Sequence, residues 1–214
     1  LFLRFLYDDG DVGDEDNKIA KLVIPGVRYY QRAYDDPLNP NSGYQFRVEV
    51  RGSYDFLVSN LSIGQVIAAG SFMLPLTSNL TLHPRIEAAT TIKDDDFSKV
   101  PPSMRFFVGG DNSVRGYKYK SRGPENRDGD VIGGESLLVG SLELEYALNE
   151  RWGLALFYDA GSAFDVSEEM EVIQGAGVGV RRYTPIGPVK LDLATKINDD
   201  DGGVRLHCSV GFDI

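Results

Sequence analysis

The last eleven residues of the chain, Val204-Arg-Leu-His-Cys-Ser-Val-Gly-Phe-Asp-Ile214, alternate between apolar side chains and polar or small ones. The valines, leucine, cysteine, phenylalanine and isoleucine fall on one face, and the arginine, histidine, serine, glycine and aspartate fall on the other. Because successive side chains of a β-strand point to opposite faces, this period of two predicts a strand with one apolar and one polar face.

The same alternation recurs along the chain and predicts about ten antiparallel strands, and therefore an all-β fold. The predicted strands are residues 1–7, 19–34, 43–57, 60–74, 79–93, 136–148, 152–161, 171–183, 188–198 and 203–214. Several of them reach the length of about nine to eleven residues that a tilted strand needs to cross a bilayer. No linker divides the chain, so we expect one domain.

The predicted connections alternate between short and long. Short turns are expected at Pro75–Asn79, Asn149–Arg151 and Thr184–Gly187, and longer, mostly acidic loops at Asp8–Lys18, Asp94–Glu135, Ser162–Met170 and Asn198–Gly202. This layout is typical of an antiparallel transmembrane β-barrel in an outer membrane. One connection breaks the rule, because a tight turn is expected at Ser59–Asn60.

A soluble β-sandwich is the main alternative, since it shows the same alternation but buries its apolar face. The polar faces favour the barrel because they mix glycine with charges of both signs, as a wet lumen would; the charged residues are Glu143, Glu145, Arg181, Lys190 and Asp192. A transmembrane helix is a further alternative over the uncharged stretch Phe56–Leu82, but its proline, glycines and polar residues favour two strands joined by a turn.

Composition excludes several classes of function. The 214 residues carry a net charge of -10, which argues against nucleic-acid binding because phosphate contacts need clustered Lys and Arg. One cysteine and two histidines exclude a disulfide framework and a cysteine-based zinc site, and no nucleotide-binding motif is present. The acidic runs 14–16, 94–96 and 198–201 lack the spacing of an EF-hand and are interpreted as solvated loops. We therefore expect no cofactor, no metal and no catalytic residues.

Residues 94–135 form the longest connection, and their composition predicts an ordered loop. The run Arg105-Phe-Phe-Val-Gly-Gly-Asp-Asn-Ser-Val-Arg-Gly-Tyr117 is aromatic and rich in glycine. Gly109 and Gly110 permit a tight reversal. The guanidinium of Arg115, if held inside a lumen, needs a carboxylate partner. The candidates on inward faces are Asp159, Glu143 and Glu145.

This run resembles the signature loop of the outer-membrane assembly superfamily, which includes the BamA, TamA and two-partner-secretion transporter families. The match rests on Val114, Arg115, Gly116 and Tyr117, and on Phe157-Tyr-Asp159, which resembles the family's inward strand motif. The resemblance implies that loop 94–135 folds into a sixteen-stranded barrel, and that Arg115 meets the wall at Asp159. Residues 1–214 would then be the C-terminal portion of that barrel, its last ten strands, and the start at Leu1 without Met suggests a piece of a longer protein.

Within the superfamily the resemblance is closest to the TamA family of translocation and assembly modules. It is carried by the runs 24–27, 96–102, 115–121, 140–143, 175–181 and 185–192. It implies a non-enzymatic barrel in the outer membrane of a Gram-negative-type bacterium, which inserts or secretes β-barrel or autotransporter-type proteins by strand exchange. The implied partners are outer-membrane lipid, unfolded outer-membrane or secreted substrates, and a TamB-like protein that spans the periplasm.

The C-terminus resembles the ending by which barrels are recognised for assembly. The matching residues are His207, Ser209, Phe212 and Ile214, with serine in place of the usual glycine and isoleucine in place of the terminal aromatic residue.

Other functions remain as alternatives. A two-partner-secretion-type transporter or a passive porin would share the strand pattern. A membrane hydrolase could use His207 and Ser209, or His83, but no G-x-S-x-G motif accompanies them.

Overall fold

The structure, a computed structural model, describes residues 1–8, 20–36, 40–55, 59–93, 97–166, 169–185, 187–199 and 202–211. It contains one antiparallel sheet whose strands follow one another in chain order. The strands are β1 (Phe2–Asp8), β2 (Ala20–Tyr34), β3 (Gly43–Ser53), β4 (Ile63–Pro75), β5 (Leu80–Lys93), β6 (Ser136–Ala147), β7 (Trp152–Phe164), β8 (Ile173–Arg182), β9 (Val189–Ile197) and β10 (Val204–Val210). Two single-turn 3₁₀ helices, Phe97–Lys99 and Pro102–Met104, lie between β5 and β6.

All ten predicted strands are present, so the prediction of an all-β antiparallel fold is confirmed. The stretch interpreted as two strands forms β4 and the start of β5, joined by a turn in which Leu76 N donates to Leu80 O. Across the described ranges, the chain has no helix with the length and apolar character needed to span a bilayer.

The tight turn predicted at Ser59–Asn60 is wrong. Strand β3 ends at Ser53 and β4 begins only at Ile63, so this connection is a longer loop and not a tight turn. The reason is hydrogen bonding to another strand. The Ser59 hydroxyl accepts from Val23 N at 3.0 Å and the Asn60 side chain accepts from Lys21 N at 3.1 Å, so both residues bond to the backbone of β2 instead of turning the chain.

The last strand is shorter than predicted. Strand β10 ends at Val210, where Gly211 adopts a φ of 101°, and residues 212–214 lie outside the described part of the chain. The predicted end signal at Phe212 and Ile214 is therefore not placed. Strand β7 is longer than predicted and continues to Phe164.

The apolar faces of the strands point outward. In β7, Leu154 and Leu156 are 47% and 59% exposed, whereas the alternating residues Ala155, Phe157 and Asp159 are 6%, 2% and 0% exposed. The same order holds in β9, where Leu191 and Leu193 are exposed and Asp192 is buried. A soluble β-sandwich would show the reverse, because it buries its apolar face. A sheet with apolar residues outside and polar residues inside suits a lipid-facing wall.

Aromatic side chains gather on the outer face near the short turns. Tyr44 and Phe72 lie at the turn ends of β3 and β4 with ring centroids 6.4 Å apart, and Phe46 stacks on Tyr44 at 6.2 Å. Trp152 and Tyr146 are exposed at the same end of β7 and β6. Such a band is typical of a membrane–water interface, where amphipathic rings sit between hydrocarbon and headgroups.

Residues 97–135 cover the inner face of the sheet. Their first part packs in one apolar cluster with β2 and β4, formed by Leu22, Ile24, Leu61, Ile63, Phe97, Val100 and Met104. Their central part packs in a second cluster with β4–β8, formed by Ile67, Ala89, Val108, Val114, Tyr117, Leu137, Val139, Ala163 and Ile173. The apolar core of the protein therefore lies between the wall and this in-folded loop.

Candidate functional site on the inner wall

The in-folded loop is an irregular hairpin. Phe106 pairs with Gly134 and Val108 pairs with Arg122 in isolated antiparallel bridges, and the segment between them reverses direction. At the reversal Gly109 and Gly110 adopt φ values of 107° and 106°, and Ser113 N donates to Gly110 O at 3.1 Å. The tip of the hairpin is thereby presented to the wall.

The base of the loop is anchored by Arg105 and Gln65. The buried Arg105 guanidinium donates to three backbone carbonyls of the loop, those of Val100, Phe97 and Ile132, at 2.7 to 3.3 Å. Burial lowers the pKa of this guanidinium, and the charge of Asp165 opposes that effect. From β4, the Gln65 amide donates to Met104 O at 2.6 Å and so joins the loop to the wall.

The tip is anchored by Arg115 and Asp159. The guanidinium donates through Nε to one carboxylate oxygen at 2.8 Å and through Nη2 to the other at 2.9 Å, which is a bidentate pair. The Arg115 backbone N–H donates to the same carboxylate at 3.1 Å, and the Ser141 hydroxyl donates to it at 2.6 Å. Asp159 is fully buried, so its charge depends on these donors.

The pair belongs to a larger ionic cluster. Glu143 accepts from Arg115 Nη1 at 2.7 Å and from Arg181 Nη2 at 2.8 Å, and Asp192 accepts from the same two guanidinium groups at 3.0 and 2.5 Å. Two guanidinium groups thus meet three buried carboxylates contributed by β6, β7 and β9. We call Arg115, Asp159, Glu143, Arg181 and Asp192 the inner-wall cluster.

The surroundings keep Arg115 charged. Burial alone would lower the pKa of its guanidinium, but hydrogen bonds and charge from Asp159 and Glu143 outweigh burial and raise that pKa. The guanidinium also lies over the Phe157 ring, with its carbon 3.4 Å from the ring centroid. Phe157 and Asp159 of the strand motif therefore both contact the same arginine.

The two residues after Arg115 reach the last strands. Gly116 N donates to Nε2 of His207 on β10 at 3.0 Å, and the other ring nitrogen of His207 contacts Asp111 of the loop. The ring of Tyr117 has Lys196 Nζ 5.3 Å from its centroid. The loop motif thus contacts β6, β7, β9 and β10.

Some predicted site residues lie elsewhere. Glu145 does not bond Arg115; it accepts from the Tyr183 hydroxyl at 2.6 Å and lies 3.8 Å from Nε of Arg181, at the edge of the inner-wall cluster. Burial raises the pKa of that phenol, and the neighbouring carboxylate adds to the effect. Both ring nitrogens of His207 contact the loop, so neither is available to activate the Ser209 hydroxyl.

Sequence reasoning did not assign Arg181, Asp192, Ser141 and Asp111 to the site. Arg181 and Asp192 were recognisable as charges on inward-facing positions, but no sequence signal joins them to Arg115, because the contacts cross four strands. The residues that the structure describes include no group of three or more histidine, cysteine or acidic side chains arranged to hold a metal.

Comparison with known proteins gives consistent results. The profile of the family described as the Omp85 superfamily domain matches residues 13–214. The outer membrane protein assembly factor BamA of Nitratidesulfovibrio vulgaris is 26% identical over 92% of this chain, and the chloroplastic outer envelope protein 80 of Arabidopsis thaliana is 33% identical over 53% of it. The chain spans 26% and 15% of the lengths of these two relatives.

A solved structure shows the same fold. It is BamA from Haemophilus ducreyi lacking POTRA domains 1-3, with a TM-score of 0.75 and 20% sequence identity, and the superposition covers 90% of this chain and 42% of that one.

Proposed function

Because this chain belongs to the Omp85 superfamily, we propose that it forms the C-terminal part of an outer-membrane barrel that assembles or translocates other polypeptides. It is an outer-membrane protein of a Gram-negative-type bacterium, as its family and bacterial relative indicate. The observation that carries the proposal is the inner-wall cluster, which pins the tip of the loop to the wall through the buried Arg115–Asp159 pair.

The contents of the lumen support assembly rather than passive diffusion. A porin keeps a water-filled channel, whereas here residues 97–135 fill the inner face and bury two apolar clusters against it. A pinned loop in this position can hold the wall in one shape while a substrate engages elsewhere.

The driving force would come from backbone hydrogen bonds. In the described sheet, β9 pairs with one edge of β10, and we place the proposed site for a substrate strand at the opposite edge. An unfolded outer-membrane or secreted substrate could add a strand at that edge without nucleotide hydrolysis. Strand exchange at β10 is thus the proposed mechanism, and it needs no catalytic residue.

The finer proposal is a TamA-type barrel that works with a TamB-like partner spanning the periplasm. It is supported by the sequence runs that resemble that family. Crosslinking the full-length protein in cells, followed by mass spectrometry, tests it: a large periplasm-spanning protein anchored in the inner membrane is the expected partner. Recovery of a secreted substrate encoded beside the gene would instead favour a two-partner-secretion-type transporter.

The main experiment removes the pinning arginine. We expect Arg115→Ala to reduce substrate assembly by roughly tenfold or more, because the buried Asp159 then loses its guanidinium partner while Glu143 and Asp192 share that of Arg181. The variant should still insert into membranes, since the strand ladder is untouched, but its loop should become sensitive to protease. Arg127→Ala is the matched control, because Arg127 is an exposed arginine of the same loop. Wild-type assembly and loop protection in Arg115→Ala would contradict the proposal.

A further inference from the structure

We propose that His207 is a positioning residue that joins the loop motif to β10. A displacement of β10 from its place in the sheet would therefore also release the loop. The inference rests on the proposed function, in which β10 is the strand that receives substrate. It concerns a contact between the loop tip and β10 that lies outside the inner-wall cluster.

The imidazole of His207 is buried and uses both of its nitrogens. Its side chain is 5% exposed, whereas that of Asp111, its partner at the loop tip, is 48% exposed. Nε2 accepts the hydrogen bond from Gly116 N at 3.0 Å. Because Nε2 is the acceptor, the ring proton lies on Nδ1 and is donated to the Asp111 carboxylate. One side chain of β10 thus bonds two separate points of the loop.

Gly116 makes this approach possible. Its φ is 98°, and a Cβ at this position would lie 3.0 Å from the carbonyl carbon of Thr195 and 3.1 Å from its oxygen. A side chain here would therefore push the loop backbone away from β9 and its amide away from His207. The neighbouring residues Arg115 and Gly116 have separate roles: the side chain of the first binds β6, β7 and β9, and the backbone of the second binds β10.

The contact adds to the pairing of β10 with β9. Within the described sheet β10 is a short strand of seven residues, against fifteen in β2, so its ladder with β9 is short as well. His207 lies directly across from Asp192 in the β9–β10 register, so the imidazole sits beside the inner-wall cluster. The loop therefore gives β10 a second attachment at the point where the ionic contacts of the wall end.

Hydrogen–deuterium exchange of the purified protein in lipid bilayers tests the inference. In His207→Leu, we expect exchange to rise roughly three- to tenfold both in residues 109–117 and in β10, which is the effect of losing one or two hydrogen bonds. His207→Gln, which keeps an acceptor on a side chain of similar reach, should restore part of the protection at Gly116. Ser209→Ala is the control, because Ser209 is the next inward-facing residue of the same strand.

Asp111→Ala provides a second test that does not threaten folding, because Asp111 is half-exposed at the loop tip. It should raise exchange in β10 although the substitution is in the loop, and its effect should not add to that of His207→Leu. Increased exchange in β10 with an unchanged loop, or fully additive effects, would overturn the inference. Exchange is read without any substrate, so a failure of the assembly proposal would leave this result standing, and the reverse also holds.

Discussion

The backbone of Arg115 lies directly against Gly175 of β8, so closely that a Cβ on Gly175 would be 2.0 Å from the Arg115 carbonyl oxygen. Contact at this distance with a backbone atom cannot be relieved by rotating a side chain. The absence of a side chain at one wall position therefore sets how near the loop comes to the wall, and with it whether the guanidinium can reach Asp159.

Gly175→Ala should consequently displace the loop tip. We expect a loss of about 1–3 kcal/mol in the free energy of unfolding, the usual cost of overpacking, and increased protease cleavage within residues 109–117. Gly140→Ala is the matched control, because Gly140 is a strand glycine of β6, two strands away, and a Cβ there has no atom within 4 Å. Equal behaviour of the two variants would show that the loop does not depend on this approach.

Asp159→Asn tests the bidentate pair from the side of the wall. The buried carboxylate accepts from Arg115 and from the Ser141 hydroxyl, and an amide would turn an NH₂ group toward some of these donors. We expect destabilisation of about 3–5 kcal/mol, measured by urea unfolding in lipid vesicles. Asp128→Asn, at an exposed position of the loop, should be neutral. A loss below about 1 kcal/mol in Asp159→Asn would argue against a stabilising pair.

The outward leucines test the membrane orientation. Leu156 is 59% exposed in the middle of β7, so Leu156→Arg places a charge in hydrocarbon. We expect a cost of about 2–4 kcal/mol in the stability of the inserted protein, again from unfolding in vesicles. Glu150→Arg, in the exposed turn before β7, should cost much less. If both substitutions were tolerated equally, this face would not contact lipid.

The base of the loop has its own anchor, which Gln65→Leu removes. Gln65 is buried, donates to Met104 O and Thr91 Oγ1, and accepts from Arg51 Nε at 2.9 Å. Leaving these groups unpaired should cost about 1–3 kcal/mol. Limited proteolysis should then cut near Met104 while the tip stays protected. Gln174→Leu, on the outer face of β8, is the control, and cleavage at the tip in Gln65→Leu would mean that the two anchors are not separate.

The strand pattern and the loop motif could be read from the sequence because both are local. Alternation with a period of two is visible in consecutive residues. For most strands, the predicted ends therefore lie within a few residues of the observed ends. The error at Ser59–Asn60 arose because those side chains bond to β2, some 36 positions away, and such a contact leaves no local signal.

Within the site, sequence by itself determined that Arg115 needs an acid and that Asp159 faces inward, since charge and face follow from residue type and strand period. Only the tertiary structure decided which other groups meet there: Arg181 and Asp192 join the cluster, Glu145 meets Arg181 and not Arg115, and His207 reaches the loop from the last strand. Strand register and the path of the loop bring these side chains together from positions up to 96 residues apart. Both are set by packing across the whole wall, which residue type and spacing do not encode locally.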